Sequence, residues 1–410
     1  MTSLIEILQK LPIERADSGD IIQEALTAIR MHLGMEIAYF SEFVDGRSVF
    51  RRVDAPGLEH LIKVGDSHDL DDIYCNHIVE GRLPELIPDT SLEPFARAMP
   101  ITDAVPIGSH VSIPIRMPDG QPFGMFCCLS PRPNPTLNQR DLETMRVFAG
   151  LATKQVHTEI EDRRARSAKR DAVERVIGLG RYEMVFQPII DLASMRTVAV
   201  EALCRVQSDP YRSPDKWFQD AADVGLGVEF ELGAIRAAVA CFGELPPGVD
   251  MSLNASPELI VSGRLHEVLD PEYLNRTTLE VTEHAPIGDY AAFHRALAPL
   301  RGHGVKIAID DAGAGYSGLQ QIVQVAADAI KMDMSLTRGI DGDSARRALA
   351  SAMIHFARET NSSIVAEGIE TVEELRTLQS LGVERGQGYL LGKPCRLSAM
   401  EPAALAFRCG

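Results

Sequence analysis

The chain lacks the marks of several protein classes. Its 410 residues hold no apolar run approaching the length of a membrane span, and the N-terminus has no basic stretch followed by an apolar core. Neither a transmembrane helix nor a signal peptide is therefore expected. Positive charge is in short supply: 41 Lys and Arg stand against 58 Asp and Glu, a formal net charge of −17. That balance argues against a duplex nucleic-acid partner, which needs basic surface, yet it leaves room for one small anion held through metal ions. The seven cysteines (Cys75, Cys127, Cys128, Cys204, Cys241, Cys395 and Cys409) form no CxxC pair and no zinc spacing. An odd count, with several inside apolar runs such as FGMFCCLS, fits buried free thiols in a reducing cytosol. No tract is of low complexity. A cytoplasmic globular protein of two or three domains is expected.

What the chain does have is acid at the ends of apolar runs. TVAVE closes at Glu201, TTLE at Glu280, VKIAIDD at Asp310 and Asp311, AIKMD at Asp333 and SIVAE at Glu367, and MSLN ends at Asn254 among them. Short β-rich runs separated by helical segments read as βα units around a parallel sheet. In a (β/α)8 barrel the catalytic groups sit where the strands end. Carboxylates crowded there repel one another, and divalent cations with oxygen ligands, Mg²⁺ or Mn²⁺, relieve that repulsion. The second half of the chain reads as a metal-dependent enzyme.

The organisation follows from spacing and turns. Residues 1–150 read as an α+β domain: a helix with Ile22, Leu26, Ile29 and Leu33 on one face, a hairpin turning at Asp45-Gly46, and a second hairpin, HVSIPIRM to FGMFCCLS, turning at Pro118 to Gln121. Leu142, Met145, Ala149, Ala152 and Val156 then form a stripe, and no Gly or Pro occurs between Gly150 and Gly178. Residues 151–177 read as a dimerising connector helix whose basic run, Arg163 to Arg170, is a solvated face. Residues 178–410 are close to the length of one (β/α)8 barrel. Within them Asp289 is a helix N-cap, and Thr371 with Glu374 forms a capping box on a helix that stops at Gly382.

FQPI (Gln187, Pro188), EALCR (Glu201 to Arg205), NAS (Asn254), LEVTE (Glu280, Glu283), DDAGAGYSGL from Asp310, KMD (Lys331, Asp333), AEGIE (Glu367, Glu370) and QGYLLGKP (Gln387 to Pro394) follow in order. On these motifs the second domain resembles the EAL-domain cyclic di-GMP phosphodiesterases throughout its length. The resemblance implies a TIM-like barrel that opens cyclic di-GMP to linear pGpG with two metal ions, Mg²⁺ or Mn²⁺. It implies metal ligation by Glu201, Asn254, Glu280 and Asp310 at the first ion, and by Asp310, Asp311 and Glu367 at the second. Lys331 and Glu367 would act in catalysis, and Glu283 would steady the loop after the Asp pair. Gln187, Leu203, Arg205, Gln387 and Pro394 would contact substrate. Ala312 and Ala314 stand where family members commonly carry Phe and Thr, and Val206 replaces a common aromatic, which puts the level of activity in doubt. A catalytically weak or inactive cyclic di-GMP receptor is the alternative.

No GGDEF-like sequence occurs, so synthesis of cyclic di-GMP is not expected. The first domain resembles a GAF sensory domain, with YCNHIVEGRLPELIPDT and FGMFCCLS as the better matches. Its ligand is unknown from sequence: Cys75 beside His77 could hold a tetrapyrrole, but no motif surrounds them and they read as loop or core residues. A homodimer is expected, with no membrane partner.

Overall fold

The computed structural model describes residues 18–282, 286–313 and 318–400. They fall into two compact units, divided between Ala165 and Arg166. In the first, helix α1 (Ser18–Leu33) buries Ile22, Leu26, Ile29 and Leu33, the spacing read from the sequence. Strands β1 (Ile37–Val44) and β2 (Arg47–Asp54) form the first hairpin, with both turn residues, Asp45 and Gly46, at positive φ. That is what a two-residue turn matched to strand twist requires. After β3 (Ser67–Asp69), the short helix α2 (Tyr74–Val79) and β4 (Leu86–Ile87), strands β5 (Ser109–Arg116) and β6 (Pro122–Ser130) form the second hairpin. All pairings are antiparallel, in the order β3-β2-β1-β6-β5-β4.

Strand alternation divides this sheet between two cores. One face, with Phe40, Phe126 and Cys128, packs on α1 and on the start of α3 (Gln139–Leu179). The other, with Tyr39, Cys127 and Leu129, lies against Ile73, Tyr74, Cys75 and Ile78. Helix α3 is continuous over 41 residues and passes through both Gly150 and Gly178. Its early stripe joins the first core, residues 161–168 are exposed, and Val173 and Val176 pack with Val206, Trp217 and Phe230 of the second unit. In the basic run Lys169 pairs with Asp220 and Asp223, and Arg170 with Glu174.

The second unit is a closed eight-stranded barrel: β7 (Tyr182–Asp191), β8 (Arg196–Val206), β9 (Asp250–Asn254), β10 (Thr277–Thr282), β11 (Lys306–Ala312), β12 (Ala329–Met332), β13 (Ser363–Ala366) and β14 (Arg385–Gly386). Strands β8 to β14 run parallel to their sequence neighbours, as repeated βα units demand. Strand β7 departs from the uniformly parallel reading and is antiparallel to both β8 and β14. The cause is the turn from Leu192 to Met195, too short to carry a crossover helix. Helices α4 (Pro214–Asp223) and α5 (Gly227–Val239) follow β8. Helix α6 (Tyr290–Gly302) starts at its expected cap, where Asp289 accepts from Ala292 N. Helix α7 (Val372–Leu381) carries the expected capping box and ends at Gly382, whose φ of 82° suits the left-handed stop.

One buried histidine makes the first unit acid-sensitive. His110 on β5 is 1 % exposed, and burial pulls its imidazole down to about 4. The folded value lies below the unfolded one, so the unfolded chain takes the proton first as pH falls. Stability is complete above about pH 6.5 and is lost toward pH 4, by at most about 1.4 kcal/mol per pH unit for a single proton. Denaturant unfolding across that window should give a clearly shallower acid loss for His110→Leu than for the unaltered protein. Equal slopes would assign the acid loss to other groups.

Candidate active site

The barrel register brings the acid-ended runs to one mouth. Glu280 lies directly beside Asn254 across β10 and β9, and Thr282 lies beside Asp310 across β10 and β11. Glu367 follows β13 at once, its N–H donating to Met332 O at 3.0 Å. Carboxylate oxygens of Glu201, Glu280 and Asp310 lie within 4.8 Å of one another, and so do those of Asp310, Asp311 and Glu367. Asp310 belongs to both groups.

Two consecutive strand residues normally point to opposite faces, so Asp310 and Asp311 should not share a site. The β11–β12 pairing shifts register between Ile309 and Ala312, and Asp311 takes a left-handed φ of 58°. This bulge turns both carboxylates to the same mouth. Asp333 does the opposite. It ends an apolar run like the others, but its carboxylate accepts from Ser335 N at 2.9 Å and caps the short helix that follows.

Lys331 stands at the centre. Its ammonium is 3.3 Å from Glu201, 2.8 Å from Glu280, 2.9 Å from Asp310 and 2.9 Å from Glu367, with the side chain 2 % exposed. Burial alone would strip its proton, but the surrounding carboxylates hold it well above the ordinary lysine value. One cation cannot neutralise four carboxylates. Burial accordingly pushes Glu280 well above the usual carboxylate range and Glu367 up to about 7. Burial pushes Glu201 upward too, yet Lys331 and hydrogen bonds from Gln387 and Asn254 bring it below its ordinary value. The surplus of oxygen donors over available positive charge is the chemical signature of a divalent-cation site, and the residues fit one.

The polar neighbours tie into the same cluster. Gln387 Nε2 donates to Glu201 Oε2 at 2.7 Å and to Gln187 Oε1 at 2.9 Å, while Gln187 Nε2 donates to Gly392 O at 3.1 Å. Asn254 Nδ2 donates to Glu201 Oε1 at 3.3 Å. A cavity of about 510 Å³ opens beside the carboxylates, walled by Leu203, Arg205, Met184, Phe218 and Asn254, among others. Its size matches that of small-ligand clefts. Arg205 donates to Cys204 O at 2.8 Å. Pro394 is half-buried outside that lining, next to Cys395, which pairs with Phe186. Glu283 lies outside the described residues.

Glu231 on α5 escaped the sequence reading. It lines the cavity, accepts from Ser256 N at 2.8 Å, and burial raises its carboxyl. It sits in a helix interior with no strand-end signature, so only the fold brings it to the cleft.

This barrel with an acidic mouth belongs to a defined class. Residues 170–394, more than half of the chain, match the EAL domain family model, so the chain belongs to the EAL-domain family; residues 17–156 match the GAF domain model. Among curated relatives, a cyclic di-GMP phosphodiesterase of Pseudomonas aeruginosa is 32 % identical over 232 residues, covering 54 % of this chain and 39 % of its own. PdeI of Escherichia coli, named a probable cyclic di-GMP phosphodiesterase, is 29 % identical over 243 residues, covering 56 % and 31 %. The chain thus spans well under half the length of these relatives. An EAL domain protein of Listeria monocytogenes shares the fold, with a TM-score of 0.50 at 22 % identity over 55 % of this chain and 92 % of that one.

The charge imbalance around Lys331 generates a test that needs no turnover. Lys331→Met leaves Glu201, Glu280, Asp310 and Glu367 without their buried cation, which should destabilise the metal-free protein by about 3–5 kcal/mol. Saturating Mn²⁺ should raise the unfolding temperature of the variant more than that of the unaltered protein. Absence of any Mn²⁺-dependent rise in either protein counts against cation binding here.

Proposed function

We propose that the chain is a metal-dependent phosphodiesterase that opens cyclic di-GMP to linear 5′-pGpG, and that its GAF domain regulates this activity. The observation that carries the reading is the clustering of Glu201, Glu280, Asp310, Asp311 and Glu367, with Asn254, Glu280, Asp310 and Asp311 lining a cavity large enough for part of a dinucleotide. Family membership and the named activity of the relatives support it.

In this reading Glu201, Asn254, Glu280 and Asp310 hold a first Mg²⁺ or Mn²⁺. Asp310, Asp311 and Glu367 hold a second. Bound cations of this kind supply Lewis-acid chemistry: they neutralise the phosphodiester and make a nearby water acidic. The remaining work falls to side chains. Asn254 adds an oxygen ligand without adding repulsion. Lys331 already sits among the carboxylates with a firmly held proton, so it orients water and neutralises charge that develops on the phosphate. Glu367, 2.9 Å from Lys331, would hold the second cation and order the water beside it. Arg205 at the cavity wall offers a planar fork to a phosphate. Gln187 and Gln387 position Glu201 and reach toward substrate, Leu203 gives the base an apolar wall, and Pro394 shapes the adjoining segment. Glu283 is assigned the loop-steadying role by family likeness alone.

For the whole chain we propose a cytoplasmic homodimer in which residues 1–150 sense and residues 151–177 connect to the barrel of residues 178–410. Among the described residues no helix is long and apolar enough to cross a membrane. A continuous helix shared by both units suits transmission by a change in helix packing, which requires two chains. Sedimentation of the full chain should give twice the monomer mass at micromolar concentration; a monomer there removes the coupling scheme and leaves the hydrolase reading standing.

Cyclic di-GMP incubated with the full chain should yield pGpG with Mg²⁺ or Mn²⁺ and nothing with excess chelator. Ca²⁺ should inhibit, because its longer bonds and looser geometry spoil a tight site. Glu201→Ala should abolish product while circular dichroism stays unchanged, since residues on this barrel face serve function more than stability. Turnover that persists in chelator overturns the metal mechanism. Tight binding of cyclic di-GMP without product identifies the chain as a receptor instead.

A further inference from the structure

A second polar cluster lies in the first unit, on the face of the sheet turned away from α1. Tyr39 on β1 and Ser112 on β5 flank Cys127 on β6 in directly opposed pairs, so the three side chains share that face. Cys75, in the first turn of α2, comes down onto them. Its Sγ is 3.8 Å from the Tyr39 hydroxyl, and Cys75 and Cys127 belong to the same buried core on this face. Both thiols are essentially unexposed and free.

A cavity of about 40 Å³ adjoins this cluster, with Tyr39, Tyr74 and His110 in its wall. It has room for about three waters, far below what a tetrapyrrole, haem or nucleotide needs. Two fully buried polar atoms on this side, His110 Nδ1 and Ser112 Oγ, have no partner among the described residues. An orphaned buried polar atom costs on the order of 1–3 kcal/mol, and of these two residues His110 is in the cavity wall, so a small hydrogen-bonding guest is favoured there. The two thiols are also unequal. The hydrogen bond with Cys127 draws Cys75 below the ordinary thiol value, whereas burial pushes Cys127 well above it.

We propose that Cys75 and Cys127 form a peroxide-reactive dithiol, reached through the cavity walled by Tyr39, Tyr74 and His110. Hydrogen peroxide is a two-oxygen hydrogen-bonding molecule, and it fits a space of that size. Cys75 sulfur attacks one peroxide oxygen, the O–O bond breaks, and the departing oxygen leaves as water with the Cys75 proton. Cys127 sulfur then attacks the Cys75 sulfenic acid, the S–O bond breaks, and the second oxygen leaves as water with the Cys127 proton. Two thiols lose two electrons and one peroxide becomes two waters.

Cys128 is a built-in control. It is the next residue, is equally buried, and faces the opposite core with its thiol pushed far up by burial. The test exposes the full-length protein to a few equivalents of hydrogen peroxide, quenches it by alkylation in denaturant, and digests it without reduction. Mass spectrometry should find a Cys75–Cys127 cross-link, lighter by two hydrogens, with fragmentation between Cys127 and Cys128 assigning the partner. It should form at least about tenfold faster than Cys128 is oxidised and should vanish on reduction. Cys127→Ser should halt at a Cys75 sulfenic acid that a cyclic diketone captures, and Cys128→Ala should still form the cross-link. If Cys127→Ser does not fold, the cross-link map of the unaltered protein decides alone. Cys75 and Cys127 both recovered as alkylated thiols, or oxidised no faster than Cys128, overturn the proposal. None of these readouts depends on the barrel's activity.

Discussion

One buried ammonium among four carboxylates is the constraint around which the barrel is organised. Lys331 contacts Glu201, Glu280, Asp310 and Glu367 at 2.8–3.3 Å. Those groups come from four different strands or strand ends, so no local segment could assemble them. Like charges this close separate unless something holds them, and the barrel does so through the backbone ladders of β8, β10, β11 and β13. On the opposite face of these strands Leu279, Ile307, Ile309 and Ile330 are fully buried and make that ladder rigid. Repulsion at the mouth is thus supported by packing behind the strands, and the same repulsion makes the mouth attractive to a divalent cation.

Both units bury polarity. In the barrel the polar groups are tied to the acids: Gln387 bridges Gln187 and Glu201, and Asn254 reaches Glu201, while Gln387 Oε1 is left without a partner among the described residues. In the first unit His110, whose Nδ1 is unpartnered among the described residues, lies in the wall of a small cavity, and the Tyr39 hydroxyl touches Cys75. Linked groups hold one geometry, whereas an unpartnered group at a cavity wall suits an exchangeable guest.

What could be read along the chain was whatever depends on near neighbours. The Asp45-Gly46 turn, the stripe from Ile22 to Leu33 and the capping box of Thr371 with Glu374 all act over a few residues, and each stands in the structure as read. The acids near the ends of β10 and β11 and just past β13 were legible because strand ends in a barrel share one face, whereas β8 continues to Val206 and carries Glu201 at its middle. Asp333 carried the same signature and caps a helix instead, since the choice between cap and cluster rests on the next few backbone dihedrals. Glu231 carried no signature at all.

The residue pattern by itself determined the two hairpins and the main capped helices, the chemistry available on the strands and the family to which the barrel belongs, because hydrophobic period, turn residues and motif order are properties of the linear chain. Tertiary structure alone decided that β7 runs against its neighbours, that a bulge turns Asp310 and Asp311 to one side, and that Lys331 meets four acids at once. It also decided that Cys75 comes down beside Cys127 rather than Cys128. Each of these depends on closing the barrel or laying a helix on a sheet. Such closures join residues tens to hundreds of positions apart, a distance over which sequence spacing carries no geometric information.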